Sequence, residues 1–239
     1  MAISYMDYTA PNVQFSSNVN ENLFFRKDAR NYINVLSIQQ LNTLGNVSLL
    51  DIFLSTSNVI EPHYHQNASE LVYCISGAAV VSLLNPFTKE LLHFPIGPGQ
   101  VANVPQGWWH YEVATVDNTH LLAIFDAPIP EFIGGSDLLR LTPPEVWAHT
   151  YCLDERQVRE TLAPITETVF IGPPNDCARH PGWAETKDQP VYEHYEYHSE
   201  PYYEQLYRAQ AYDQQLYPHG PGQYPYPHDG GGYPGHGGY

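Results

Sequence analysis

The sequence predicts an all-β fold, either a sandwich or a closed barrel. Short strand-like runs follow one another from Ile33 to Asp126, and turn residues such as Asn85-Pro86-Phe87-Thr88 and Pro105-Gln106-Gly107 punctuate them. Short runs at this spacing mark sheets that curl or stack on themselves. With 43% hydrophobic residues, the chain can also fill the interior such a fold encloses.

Residues 1–20 are polar with scattered aromatics and read as an extended N-terminal arm. Strands are expected at Ile33–Ile38, Val47–Ser55, Val59–His65, Glu70–Ile75 and Ala78–Leu84, then at Glu90–Phe94, Gln100–Val104, Trp109–Ala114 and Leu121–Asp126. Phe53, Leu83 and Phe94 are the core candidates among them, and Cys74 reads as a small buried hydrophobe. After Asp126 the pattern changes. Pro143 and Pro144 suit the first turn of a helix, where a missing N–H costs no bond. Short helices follow over Glu145–Leu153 and Glu155–Leu162. The organisation is thus an arm over 1–20, a barrel with its helical segment over 21–160, a linker over 161–189 and a tail over 190–239.

The tail differs in composition from everything before it. It holds 12 of the 19 tyrosines and 5 of the 12 histidines, and its only basic residue is Arg208. Its aliphatic residues are Val191, Leu206 and Leu216, too few to offset the entropy of ordering it, so a disordered, low-complexity tail is expected. His194 and His198 are four apart and read either as an exposed polar pair or as a metal pair on a helix.

The formal net charge is −16 and the pI about 4.9. Nucleic acid and anionic membrane surfaces both require basic residues, so neither is an expected partner. No apolar run approaches the roughly 20 residues of a membrane-spanning helix. The start, MAISYMDYTAPNVQ, has no basic segment leading an apolar stretch, so no secretory signal is read and a cytoplasmic location is expected. A mature chain whose signal has been removed is the alternative. Cys74, Cys152 and Cys177 are odd in number and widely spaced, and form no disulfide framework or metal motif.

The chemistry sits in two segments, HYHQNASELVYCISG from His63 and GQVANVPQGWWH ending at His110. On a strand, residues two apart share a face, so His63 and His65 point together while Tyr64 points away. Gln66 to Ser69 fit a turn, Glu70 opens the next strand, and His110 opens another. Three imidazoles and a carboxylate converging inside a small barrel would suit a divalent ion of intermediate hardness: manganese, iron, nickel, cobalt or zinc.

These segments resemble the two motifs of the cupin superfamily. His63, His65, Glu70 and Gly77 match the first, G-x5-H-x-H-x3-4-E-x6-G; Gly99, Pro105, Gly107 and His110 match the second, G-x5-P-x-G-x2-H-x3-N. Ser57 stands where the first motif opens on glycine, and Ala114 where the second closes on asparagine. Neither position is a metal ligand in the family. The resemblance covers about residues 20 to 155 and is closest to the germin and oxalate decarboxylase branch, in single-domain form. LTPPEVWAHTYCLD, from Leu141 to Asp154, is similar to the helical segment that follows the barrel there. The resemblance implies a double-stranded β-helix, or jelly-roll barrel, and a homo-oligomer in which the helices pack between subunits. It also implies manganese and activity on oxalate or an oxygen species such as superoxide.

Decarboxylation needs a proton donor, which in the resembled decarboxylase is a glutamate on a short lid. The matching stretch here is FDAPIPEFIGGSD. Glu131 reads either as that acid or as an exposed loop carboxylate, with Gly134 and Gly135 as candidate hinges. The family's serine-rich lid motif is absent, and no arginine occurs between Arg30 and Arg140 to hold a substrate carboxylate. Tyr73, Asn103 and Trp109, with Trp108 and Tyr111 beside them, are the substrate-pocket candidates that remain. A structural role is the alternative function. The tail resembles the ends of bacterial spore-coat and surface-layer proteins, in which tyrosines cross-link or stack.

Overall fold

The structure, a computed structural model, describes residues 7–175 and residue 177. The expected tail over 190–239, with His194 and His198, lies outside the described residues.

In chain order the strands are β1 (Leu23–Arg26), β2 (Tyr32–Leu36), β3 (Ser48–Leu54), β4 (Val59–Tyr64), β5 (Glu70–Ser76) and β6 (Ala79–Asn85). They continue with β7 (Glu90–Ile96), β8 (Val101–Val104), β9 (His110–Ala114), β10 (Thr119–Phe125) and β11 (Ile133–Gly134). Three helices follow, α1 (Gly135–Leu141), α2 (Pro144–Tyr151) and α3 (Glu155–Leu162), and then β12 (Ile171–Gly172). The strands form two antiparallel sheets. One runs β1-β2-β3-β10-β5-β8, the other β11-β4-β9-β6-β7, with β12 added beside β4. The all-β expectation holds, and so do the runs from Ile33 to Asp126, with ends shifted by a residue or two.

Alternation explains why these runs become strands. Along β10, Thr119, Leu121, Ala123 and Phe125 are buried and the residues between them are half-buried. Ile52, Leu54, Val72, Cys74, Leu121 and Phe125 of the first sheet belong to one core with Ile60, Val81, Leu83 and Ile96 of the second. Burying one such aliphatic or aromatic side chain is worth about 1.5–3 kcal/mol. Leu83 and Cys74 occupy this core as expected. Phe94 only packs against its edge. Phe53 does not enter it, because its parity on β3 is opposite to that of Ile52 and Leu54. It stacks instead between Tyr32 at 4.5 Å and His120 at 4.2 Å.

Gly77 turns the chain from β5 into β6 at φ +75°, and a Cβ there would lie 2.5 Å from the Thr119 Cα. Both the backbone conformation and the close approach require glycine.

The helical segment opens earlier than expected. Gly134 and Gly135, candidate hinges, are instead packed into the fold: Gly134 pairs with His63 across β11 and β4 and caps α1. A Cβ on Gly134 would collide with the Glu61 carboxylate, and one on Gly135 would come within 3.0 Å of the Pro62 carbonyl oxygen. Pro144 takes the first position of α2, and Asp154 caps α3 by accepting from the Gln157 N–H at 2.9 Å. Within the span expected to be linker, Ile171 and Gly172 pair with Ile60 and Val59, and Phe170 stacks on Phe132 at 5.2 Å. The arm is fastened as well: Gln14 N–H donates to Asn42 Oδ1 at 2.9 Å, and Asn42 Nδ2 donates to the Asn12 carbonyl at 2.8 Å. Among the described residues no helix is long and apolar enough to cross a membrane.

Candidate metal centre

His63 lies on β4, His65 just beyond it, Glu70 at the start of β5 and His110 at the start of β9. His63 and His110 face each other in register across β4 and β9. Glu70 comes from the opposite sheet, where it pairs with Phe125 and Val104. The four side chains therefore meet between the sheets. Their relative exposures are 4%, 5%, 3% and 0%, and one ligand atom from each lies within 4.8 Å of all the others. The spacing-based expectation that they converge is met.

Each imidazole is aimed by a backbone carbonyl. His63 Nδ1 pairs with the Glu61 carbonyl at 2.6 Å, His65 Nδ1 with that of Glu131 at 2.9 Å, and His110 Nδ1 with that of Trp108 at 2.9 Å. A carbonyl only accepts, so every Nδ1 carries a hydrogen. A neutral ring is then left with a bare lone pair on Nε2, turned inward. Such outer hydrogen bonds fix the tautomer and orientation of metal-binding histidines.

The inward atoms are crowded. His63 Nε2 lies 3.2 Å from His65 Nε2, while Glu70 Oε2 lies 2.7 Å from His110 Nε2 and 3.2 Å from His65 Nε2. Lone pairs at these separations repel unless a positive species stands among them. A proton relieves only the one contact that it bridges. One divalent cation relieves all the contacts together, and three imidazoles with one carboxylate are a donor set that such ions accept. Burial, and then the neighbouring His110, push His63 well below the usual imidazole range, so its ring is neutral at pH 7. Burial alone would raise the Glu70 carboxyl. Hydrogen bonds from His110 and His65, which a metal-free cluster makes only where a ring carries a proton on Nε2 as well as Nδ1, outweigh it and hold Glu70 well below the usual carboxylate range.

The surroundings are aromatic. His65 packs on Phe125 at 4.7 Å, and His63 packs on Phe132 at 5.6 Å. The Glu61 carboxylate, buried below His63, accepts from the Ser136 N–H and hydroxyl, both at 2.9 Å, and so ties α1 to the ligand-bearing strand.

The other candidate residues are placed differently. Tyr73, Asn103 and Trp109 are not brought to the cluster. Tyr73 is three positions from Glu70 on β5, so the pleat turns it outward, where it is 38% exposed. Asn103 alternates with the buried Ala102 and Val104 on β8. Trp109, next to His110, turns the other way and packs near Tyr64 at 6.2 Å. Tyr111 likewise lies between the buried His110 and Glu112, and Trp108 packs against the core. Glu131 touches the centre through its backbone alone. Its exposed carboxylate accepts from Gln66 Nε2 at 3.1 Å.

One residue absent from the sequence-based set stands beside the centre. Glu112 is 1% exposed and projects inward two residues beyond His110. His110-x-Glu112 repeats the spacing of His63-x-His65, and that spacing was the signal available in the sequence. Burial, and then the charge of Glu70, push its carboxyl well above the usual range.

Comparisons with known proteins agree with this geometry. The family profile described as Cupin matches residues 19–159. The germin-like protein subfamily T member 3 of Arabidopsis thaliana is 31% identical over 120 residues, which cover 49% of this chain and 52% of that protein. Glycinin G3 of Glycine max is 29% identical over 121 residues, 49% of this chain and 25% of that protein. The chain thus matches about half the length of the germin-like relative and a quarter of the glycinin. Among solved structures, Bacillus subtilis oxalate decarboxylase, in work on its Mn(II) centres, superposes with a TM-score of 0.60 at 21% identity, covering 68% of this chain and 42% of that one. The coconut allergen cocosin superposes at 0.58 and 23% identity, covering 66% and 42%. Two antiparallel sheets, converging motif residues and a profile spanning the barrel lead to one assignment: the chain belongs to the cupin family, with germin-like proteins among its relatives.

Proposed function

We propose that the chain is a divalent-metal enzyme that acts on a small carboxylate such as oxalate, or on an oxygen species, with manganese as the ion and His63, His65, Glu70 and His110 as its ligands. The observation that carries this reading is the orientation of the three histidines. Every Nδ1 is spent on a backbone carbonyl, the Nε2 atoms of His65 and His110 face the buried Glu70 carboxylate at 3.2 and 2.7 Å, and that of His63 faces His65 Nε2 at 3.2 Å. The Mn(II) centres of the structurally similar oxalate decarboxylase support manganese, while iron, nickel, cobalt and zinc also suit the donor set.

When bound, the ion supplies Lewis acidity and, for manganese or iron, electron exchange toward a substrate oxygen. The chain's residues do the rest. Phe125 and Phe132 keep water away from the ligands and strengthen the electrostatics there. Glu131, on the segment that also orients His65, is the candidate proton donor, and it must release Gln66 to serve. Exposed apolar side chains on and beside the helices, Leu141, Val146, Tyr151 and Leu153, support assembly into a homo-oligomer.

A second reading, a structural or storage role, is favoured by the relatives that include glycinin G3 and the 12S seed storage protein CRC of Arabidopsis thaliana. It would also accommodate the spore-coat-like tail. The two readings separate in one assay series. Manganese-loaded protein is expected to consume oxalate or superoxide, with turnover lost on chelation and in Glu70→Gln. Fully loaded protein that consumes neither would contradict the enzyme reading and favour the structural one.

A further inference from the structure

Glu112 has no explanation in the barrel as described. It sits on β9 between Val81 of β6 and Ile60 of β4, both apolar and buried. Neither carboxylate oxygen has a hydrogen-bond partner among the described residues. His110 Nε2 lies 3.7 Å from Glu112 Oε1, beyond hydrogen-bond reach, and that nitrogen already faces Glu70 at 2.7 Å. Other buried acids of this fold are fully engaged. Glu61 holds Ser136 through two bonds, and Asp51 accepts from His120 at 2.6 Å. An orphaned carboxyl is costly, commonly by about 1–3 kcal/mol or more, and a fold keeps one where a missing partner takes it up.

We infer that Glu112 is a fifth protein ligand of the metal centre, a second carboxylate beside Glu70, and that the divalent ion is its missing partner. The inference rests on the metal-binding reading above and deepens it. Glu112 projects from the same strand face as His110, its Oε1 approaches the Nε2 that faces the cluster, and neither of its oxygens has a hydrogen-bond partner among the described residues. It stands just outside the four side chains whose ligand atoms lie within 4.8 Å of one another, so ligation draws its carboxylate inward. Charge gives a further argument. One carboxylate leaves a divalent ion with a net positive charge inside a buried apolar shell, whereas Glu70 and Glu112 together neutralise it. Two carboxylates also harden the donor set, which favours manganese or iron over copper. A centre so filled keeps fewer open positions, so it takes a small ligand, one carboxylate oxygen or a dioxygen-sized molecule, in preference to a bulky chelating one.

The test compares wild type, Glu112→Gln and Glu112→Leu as full-length apoproteins titrated with manganese(II). Affinity is read by calorimetry, and the bound ion by its electron paramagnetic resonance fine structure. Glutamine keeps the shape and removes the charge; leucine replaces the orphaned group with an apolar one that suits Val81 and Ile60. Both variants are expected to fold without metal, with circular dichroism like wild type and thermal midpoints equal to or above it. Both are expected to bind manganese at least 10-fold more weakly, with altered fine structure. Wild-type affinity and fine structure in both folded variants would overturn the inference while leaving the four-ligand centre intact. No manganese binding by wild type would overturn the metal-binding reading and this inference with it. Should Glu112→Gln fail to fold, Glu112→Leu alone decides between these outcomes.

Discussion

At the scale of single residues, parity decides what reaches the centre. His63 and His65, two apart, share a face, and Glu70 and His110 open strands that meet them from either side. His63, His65 and Glu70 were legible because the strand period is two and their spacing is local, whereas His110, 40 residues beyond Glu70, was legible through the second motif. The same rule, applied throughout, would have added Glu112 and removed Tyr73, Asn103 and Trp109. All three suit a pocket by residue type, but the pleat turns Tyr73 and Asn103 outward, and Trp109, just before β9, packs near Tyr64. Glu131 shows another limit. Its backbone carbonyl, not its carboxylate, reaches the site, and a carbonyl leaves no trace in a sequence. Gly77 is the clearest backbone requirement at this scale. Gly77→Ala forces a side chain into a positive-φ turn against the Thr119 backbone and is expected to destabilise by about 2 kcal/mol or more. Chemical denaturation would show it as a lower midpoint at constant slope; an unchanged midpoint would refute the close-approach argument.

At the scale of elements, the long strands were readable and the short ones were not. β3, β5, β6 and β10 each carry seven residues of alternating or apolar pattern, enough to specify a face. β11 and β12 have two residues each and exist only because β4 offers an edge to pair with. No local pattern announces such strands. α1 was hidden by Gly134-Gly135, which resemble a hinge in sequence but allow Glu61 and Pro62 to approach closely. Asp137 locks this region. It accepts from Thr168 Oγ1 at 2.8 Å, Arg140 Nη2 at 2.7 Å and the Gly134 N–H at 3.2 Å. Burial opposes its ionisation, but the bonds from Thr168, Arg140 and Gly134 outweigh it, and its pKa is lowered. With a folded pKa below the unfolded value of about 3.9, its stabilisation is complete above that value. It is lost as pH falls through the folded value. Thr168→Val removes one of the bonds and is expected to cost about 1–3 kcal/mol at pH 7. That deficit should shrink toward zero as acid protonates Asp137 in both proteins. A deficit equally large at pH 2 and pH 7 would show that lost packing, not the charged bond, is responsible.

At the scale of the whole molecule, the barrel and the centre are one construction. Glu70 belongs to one sheet and the histidines to the other or its edge, so the cluster exists only when the sheets close on each other. An ion bound there would therefore couple to folding and stabilise both sheets. The family profile covers this closed unit and stops near the end of α3. The acidic balance and the tyrosine-rich end were visible in composition, but composition names no reaction, and the same barrel serves germin-like and seed storage relatives.

His63, His65, Glu70 and His110 are proposed to hold one metal ion. Elemental analysis of the protein purified without a histidine tag or added metal tests this most directly, beside a His63→Ala, His110→Ala double variant. Near-stoichiometric manganese or iron in the wild type, lost from a double variant that still folds, is the predicted result. No bound metal in the wild type, or equal metal in both proteins, would contradict the account.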